Sequence, residues 1–195
     1  NQETGLIKLL KKPKSSRFLK TLTDEEKNQL NPIIWFGGNQ ITGDQIFLKS
    51  NVKTEELDSL IIRGNVFMSQ KDSLYSDRFN QIKGEKLDGF FSEGKLDNVY
   101  VEKNSTLLYY MYSDDAELIG LNKTLASSIL IKFLENEISE VSFYRTPDGN
   151  VLSENKILTN EMKLPGFIWR ESERPNKISD LFSESDKELE IVEIE

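Results

Sequence analysis

Cysteine and histidine are both absent from this chain. Without cysteine there is no disulfide framework and no thiolate metal site, a composition that suits either the cytosol or an oxidising envelope. Without histidine the usual neutral-pH base and the commonest metal ligand are both missing. No apolar run approaches the roughly 18 residues of a membrane helix, so no transmembrane segment is expected. There is also no P-loop, no dinucleotide-binding glycine loop and no Gly-x-Ser-x-Gly elbow. Carboxylates are plentiful, and a glycosidase needs only two. Asp44, Asp88, Asp97, Asp114 and Asp115 fall mainly in turns or on polar faces, where solvated carboxylates are expected. Asp114-Asp115 offers oxygen ligands for calcium, but at a spacing that matches no known loop. No catalytic residue, metal site or cofactor is assigned, and the chain is read as a non-enzyme.

Net positive charge is absent as well. Twenty-five Lys and Arg against 33 Asp and Glu leave a formal charge of -8. Phosphate backbones demand a clustered positive field, which argues against nucleic acid as a partner. The charge is unevenly placed. Lys8, Lys11, Lys12, Lys14, Arg17 and Lys20 crowd the N-terminus, whereas Asp180, Glu184, Asp186, Glu188, Glu190, Glu193 and Glu195 crowd the C-terminus. Two solvated tails are the simplest reading. Asn1-Gln2-Glu3-Thr4 is not a signal peptide and there is no starting Met. The chain is therefore read as a processed or trimmed fragment, whose missing signal says nothing about compartment.

What the chain does have is a unit of about 40 residues that recurs three times. Asn39-Gln40-Ile41-Thr42-Gly43 aligns with Asn80-Gln81-Ile82-Lys83-Gly84 and with Asn122-Lys123-Thr124-Leu125-Ala126, at offsets of 41 and 42 residues. Ile46, Leu87 and Ile129 then coincide, as do Phe91 and Phe133. A second apolar set follows a polar turn: Leu57 to Leu60, Leu96 to Val99, and Ile138 to Val141. A fixed period of this size signals stacked supersecondary units, none of which can bury its apolar face alone.

Within each unit the apolar period is two. Leu87, Gly89 and Phe91, then Val99 and Val101, flank the turn Ser92–Lys95. Ile129, Ile131 and Phe133, then Val141 and Phe143, flank Glu135–Glu137. Such alternation around a short turn predicts β-hairpins with one buried face, and a third hairpin is expected to turn near Lys49–Glu56. Extended runs continue at Asn65 to Met68 and Ser105 to Tyr112. In the latter, Leu107-Leu108-Tyr109-Tyr110-Met111-Tyr112 is apolar on both faces, so one face is expected in the core and the other on a partner, an end cap or a ligand. Gly43, Gly84 and Ala126 sit where the phase of the alternation changes, which suggests a bulge or sheet corner rather than an ordinary strand entry. Met162 to Trp169 reads as one more strand. Residues 1–31 carry little pattern: Leu6 to Leu10 is apolar but ends before Pro13, and Thr23-Asp24-Glu25-Glu26 has the spacing of a capping box for a short helix to about Leu30. The expected organisation is a basic N-terminal segment over 1–31, an all-β antiparallel array of stacked repeats over 32–182, and an acidic tail over 183–195.

Asn39 to Asp44, Arg78-Phe79-Asn80-Gln81-Ile82-Lys83-Gly84 and Glu117-Leu118-Ile119-Gly120-Leu121-Asn122-Lys123 resemble the OstA-like proteins of Bacteroidetes. So do Pro147-Asp148-Gly149, Gly166-Phe167-Ile168-Trp169 and Arg174-Pro175. That group belongs to the OstA/LptA superfamily of lipopolysaccharide transport, and the resemblance covers about residues 32–182. It implies a β-jellyroll, or β-taco, in the periplasm of a Gram-negative bacterium. It also implies a bridge that carries lipopolysaccharide during outer-membrane biogenesis, with lipid A acyl chains sheltered between the sheets. The positions that would line such a groove are Ile46, Leu48, Leu60, Ile62, Leu87, Phe91, Val99, Val101, Ile129, Ile131, Phe133, Val141 and Phe143. Each of them would equally line the closed core of a non-transport envelope scaffold that binds protein or glycan on its surface. Lys83, Lys86, Lys95 and Lys132 are candidates for a rim that meets sugar and phosphate groups, or are ordinary surface lysines. An array that does not close leaves an exposed strand at each end. Those edges suit pairing with other transport proteins or head-to-tail self-association, with the opposite charge of the two tails setting polarity. The competing expectation is that both tails cap a monomer.

Overall fold

In the computed structural model, which describes residues 5–11, 20–135 and 137–175, ten antiparallel strands form one sheet. The strands are β1 (Leu6–Leu10), β2 (Ile33–Phe36), β3 (Asn39–Thr42), β4 (Gln45–Ser50), β5 (Leu57–Lys71), β6 (Phe79–Ser92), β7 (Lys95–Tyr112), β8 (Leu118–Leu134), β9 (Glu137–Tyr144) and β10 (Asp148–Leu152). One helix, α1 (Asp24–Gln29), precedes β2. The three hairpin turns fall where the alternation places them. In the β6–β7 turn Ser92 pairs with Lys95 and the two turn residues, Glu93 and Gly94, both have positive φ, the twist a two-residue hairpin favours.

Strands β5 to β8 run 14 to 18 residues, too long to stay flat. Each changes register midway, between Arg63 and Val66, Lys83 and Lys86, and Glu102 and Ser105. The sheet folds over at this line. One layer contains β1, β4, β9 and the halves of β5 to β8 that carry residues 57–63, 86–92, 95–102 and 128–134. The other contains β2, β3, β10 and the halves with residues 66–71, 79–84, 105–112 and 118–126. The product is an antiparallel β-jellyroll, open along the side opposite the fold.

Two devices build the corner. On alternate strands the chain turns through pairs of left-handed residues: Gly64 and Asn65, Lys103 and Asn104, Arg145 and Thr146. On the strands between them stand Gly43, Gly84 and Ala126. A Cβ on Gly43 would lie 2.2 Å from Ile62 Cγ2, and one on Gly84 would lie 2.4 Å from Val101 Cγ1. Small residues are needed because the neighbouring strand passes directly over them.

Two segments go beyond or against the sequence pattern, and a third follows it. Leu6–Leu10 is a strand, paired with β4 from Leu6↔Lys49 to Leu10↔Gln45, with Leu9 packed on the core. Its five residues alternate too little to announce themselves. Helix α1 does form on the capping box: Glu26 N donates to Thr23 Oγ1, and Thr23 N donates to Glu26 Oε2 at 2.7 Å. The strand expected at Met162–Trp169 does not form. Pro165 lacks a donor and Gly166 sits at φ 88°, so this stretch becomes an irregular strap. The strap crosses the outer face of the second layer and buries Leu164 against Phe67, Leu108, Tyr110 and Leu121. The second apolar face of β7 is thus capped by the chain itself. The acidic residues from Asp180 onward and half of the basic stretch (Lys12, Lys14 and Arg17) lie outside the described residues.

Candidate functional site

Alternation in the first layer sends one set of side chains inward. Of the thirteen positions expected to line a groove, Ile46, Leu60, Ile62, Leu87, Val99, Val101, Ile129, Ile131 and Phe133 are buried in a single cluster. Leu48, Phe91, Val141 and Phe143 are half-buried and pack on the same cluster. All thirteen are brought together. The opposing layer contributes Ile34, Ile41, Val66, Met68, Ile82 and Leu107, which the sequence reading did not single out. Their signal was present: Ile41 and Ile82 head the recurring unit. They were missed because the bulge at each corner resets the odd/even phase, so strand halves on either side of it do not share one pattern.

The interior is apolar on one wall and mixed on the other. Cross-strand register places Ile41, Met68, Ile82 and Leu107 in one row of the second layer, inward-facing throughout. One step toward the open side, Asn39 pairs with Gln70, and Gln70 with Asn80; Asn122 stands beside Tyr109 further along. A row of amides therefore borders the apolar interior. Asn80 Oδ1 accepts from Tyr110 N at 2.9 Å, and Asn122 Oδ1 accepts from Thr124 Oγ1 at 2.7 Å. Asn39 Nδ2 donates to Phe36 O, while its buried Oδ1 has no partner. At the β2 end Phe36 meets Phe91 across the layers, ring centroids 4.8 Å apart. At the β9 end the layers part around a cavity of about 230 Å³, bounded by Leu107, Tyr109, Met111 and Asn122 on one side and by Ile138, Val141 and Phe143 on the other. Burial raises the Tyr109 phenol above its ordinary range, with help from Glu137 and Asp72.

The lysines considered for a rim point away from this interior where their partners are defined. Lys83 Nζ donates to Pro165 O on the strap, Lys95 pairs with Glu135, and Lys132 pairs with Glu140 at 2.9 Å. The Lys132–Glu140 pair raises the lysine pKa and lowers that of the carboxylate. Lys86 is half-buried at the corner.

The outward residue of the recurring unit holds the strap. Gln40 Nε2 donates to Ile168 O at 2.7 Å, and Arg170 N donates back to Gln40 Oε1 at 2.6 Å. Gln81 repeats the arrangement: its Nε2 donates to Met162 O at 2.9 Å and its Oε1 accepts from Leu164 N at 2.8 Å. Lys123, at the same place in the third unit, pairs with Glu161 at 2.8 Å. Beyond the last clip the buried Arg170 donates to Asn31 O and grips Glu173, whose carboxyl is held below its usual range mainly by that contact. Asn28 of α1 donates to Gly166 O at 2.6 Å, which ties the helix to the strap.

A second cluster surrounds Arg78. Its guanidinium lies 3.8 Å over the Tyr75 ring and donates to Tyr112 Oη, which in turn donates to Asp72 Oδ2 at 2.8 Å. Burial pushes the Tyr110 and Tyr112 phenols up to about 12. Among the described residues no three acidic side chains gather as a metal site would require, and Asp114 and Asp115 sit exposed in the β7–β8 turn. No described helix is long and apolar enough to cross a membrane.

Fold and site together define an antiparallel β-jellyroll with an apolar interior between its layers. No family model and no curated protein matches the chain. Among solved structures, one that aligns is LptH, the LptA-homologous periplasmic component of the conserved lipopolysaccharide transport device from Pseudomonas aeruginosa. It covers 77% of this chain and 97% of its own length, at 12% identity and a TM-score of 0.45.

Proposed function

We propose that the chain is a passive periplasmic carrier of lipopolysaccharide that shelters acyl chains between its two layers as part of a transport bridge. The observation that carries this reading is the convergence of all thirteen alternating apolar positions on one interlayer cluster that opens at the β9 end. The sequence resemblance stated above points the same way. Removing acyl surface from water is worth roughly 25 cal/mol per Å², which suffices for reversible capture without any chemical step. Across the interior the walls meet through apolar side chains, Phe36 against Phe91 among them, so an acyl chain that enters replaces contacts of its own kind. Direction of transport then comes from energy supplied elsewhere. Among the described residues β1, β2, β9 and β10 each have one strand partner, and their outer edges would join the chain to other bridge components or to further copies.

Tight packing favours a second reading. Nine of the thirteen positions are 7% exposed or less, as in a closed core. On that reading the domain is an envelope scaffold that binds protein or glycan on its outside. The two separate on binding of a hydrophobic dye and of labelled lipopolysaccharide by the purified protein. The carrier saturates with both, and Val141→Asp or Phe143→Asp at the mouth weakens binding at least tenfold while circular dichroism is unchanged. A folded protein that takes up neither ligand is the scaffold. Buried Val101 is the wrong position for this test, because a charge there would unfold the domain.

A further inference from the structure

The amide row is unexpected in a wall that otherwise buries Ile41, Met68, Ile82 and Leu107. A core that serves only stability gains nothing from amides there, since each must be satisfied or costs free energy. Asn39 is 1% exposed, yet its Oδ1 has no hydrogen-bond partner. It borders a gap of about 10 Å³ beside Gln70, Asn80 and Ile138, room for no more than about one water. The neighbouring amide oxygens of Asn80 and Asn122 are already engaged. An unsatisfied carbonyl oxygen accepts; it cannot donate. What it lacks is therefore an N–H or O–H, presented at the boundary between apolar surface and the open side.

We infer that Asn39 and the amide row recognise the linkage of an N-acyl amphiphile, with the acyl chain in the apolar interior and the amide N–H donated to Asn39 Oδ1. This inference rests on the amphiphile reading above and adds a chemical selectivity to it: an amide linkage is preferred to an ester, which has the same shape but no donor. The row makes geometric sense of such a ligand. A chain inserted from the open side brings its first polar atoms to the level of Asn39, Gln70 and Asn80 just as its methylenes reach the Ile41–Leu107 row.

The test uses two probes of equal chain length, N-dodecanoyl glucosamine and the O-dodecanoyl ester of glucose, each competing with a phenylnaphthylamine dye on the full chain. The amide probe should displace the dye about three- to tenfold more tightly, the value of one net hydrogen bond. Asn39→Leu, which keeps the volume and removes the acceptor, should bring the ratio to one and leave ester binding in place. Asn80→Leu, whose oxygen is already taken, should keep the preference. Equal binding of both probes by the unaltered protein overturns the inference and assigns Asn39 to a resident water, even if Asn39→Leu fails to fold. A preference that survives Asn39→Leu overturns the assignment to this row. Binding of neither probe sinks the amphiphile reading itself and this inference with it.

Discussion

Gly84 and Gly94 are both glycines, but for different reasons. At Gly84 the backbone is ordinary and space is the constraint, since a Cβ would meet Val101 Cγ1 at 2.4 Å and Glu102 O at 3.2 Å. Gly84→Ala should cost about 1–2 kcal/mol through overpacking at the corner, measured by denaturant unfolding. At Gly94 nothing lies within 4 Å, but φ is 73°. Gly94→Ala should cost about 1 kcal/mol from the backbone alone, with no change at the corner. Tyr110 and Tyr112 make a pH prediction. Their folded pKa values stand near 12 against 10.0 for an ordinary tyrosine, chiefly through burial. The unfolded chain therefore loses these protons first, so their contribution to stability is complete below pH 10 and disappears as pH rises from 10 to 12. Ultraviolet titration of the phenols should show Tyr110 and Tyr112 ionising late, with Tyr109 also above its ordinary range, and Tyr112→Phe should flatten that alkaline loss. A stability that stays level over this window would contradict the assignment.

Among the elements, the strap is the one whose stability rests most visibly on single side chains. It has no strand pairing, and Gln40 and Gln81 supply its backbone partners two at a time. Gln81→Leu strands Leu164 N and Met162 O, and should cost about 1–3 kcal/mol. Amide exchange should rise over residues 157–170 well before it rises in β5 to β8, which separates loss of the strap from loss of the fold. If exchange rises everywhere together, the strap and sheet form one cooperative unit. The hairpins of β6–β7 and β8–β9 were legible because both arms alternate around short turns. The strap was not, because its apolar residues match a strand in composition, and only Pro165 and Gly166 hint that it cannot pair.

For the whole molecule, the open question of assembly has a direct measurement. Among the described residues each layer ends in strands with a single strand partner, β1 and β9 in one and β2 and β10 in the other, at opposite ends of the stack. Lys8 on β1 places part of the basic stretch on one of these edges. If copies pair end to end, sedimentation should show association that grows with concentration and weakens with salt and on removal of residues 183–195. A monomer at every concentration and salt would mean that the edges serve other proteins or none.

Sequence alone determined the all-β character, the hairpin turns, the corner at Gly43, Gly84 and Ala126, and the side chains of the first layer that face inward. These follow from local rules: a period of two, turn chemistry, and the space a Cβ occupies. Tertiary structure alone decided that Leu6–Leu10 is a strand, since five weakly alternating residues become one only when β4 offers an edge. It also decided that the recurring Asn39 and Asn80 face the interior while Gln40 and Gln81 hold the strap. Adjacent residues of a strand point to opposite faces, but which face is covered, and by what, depends on a segment more than 80 residues away.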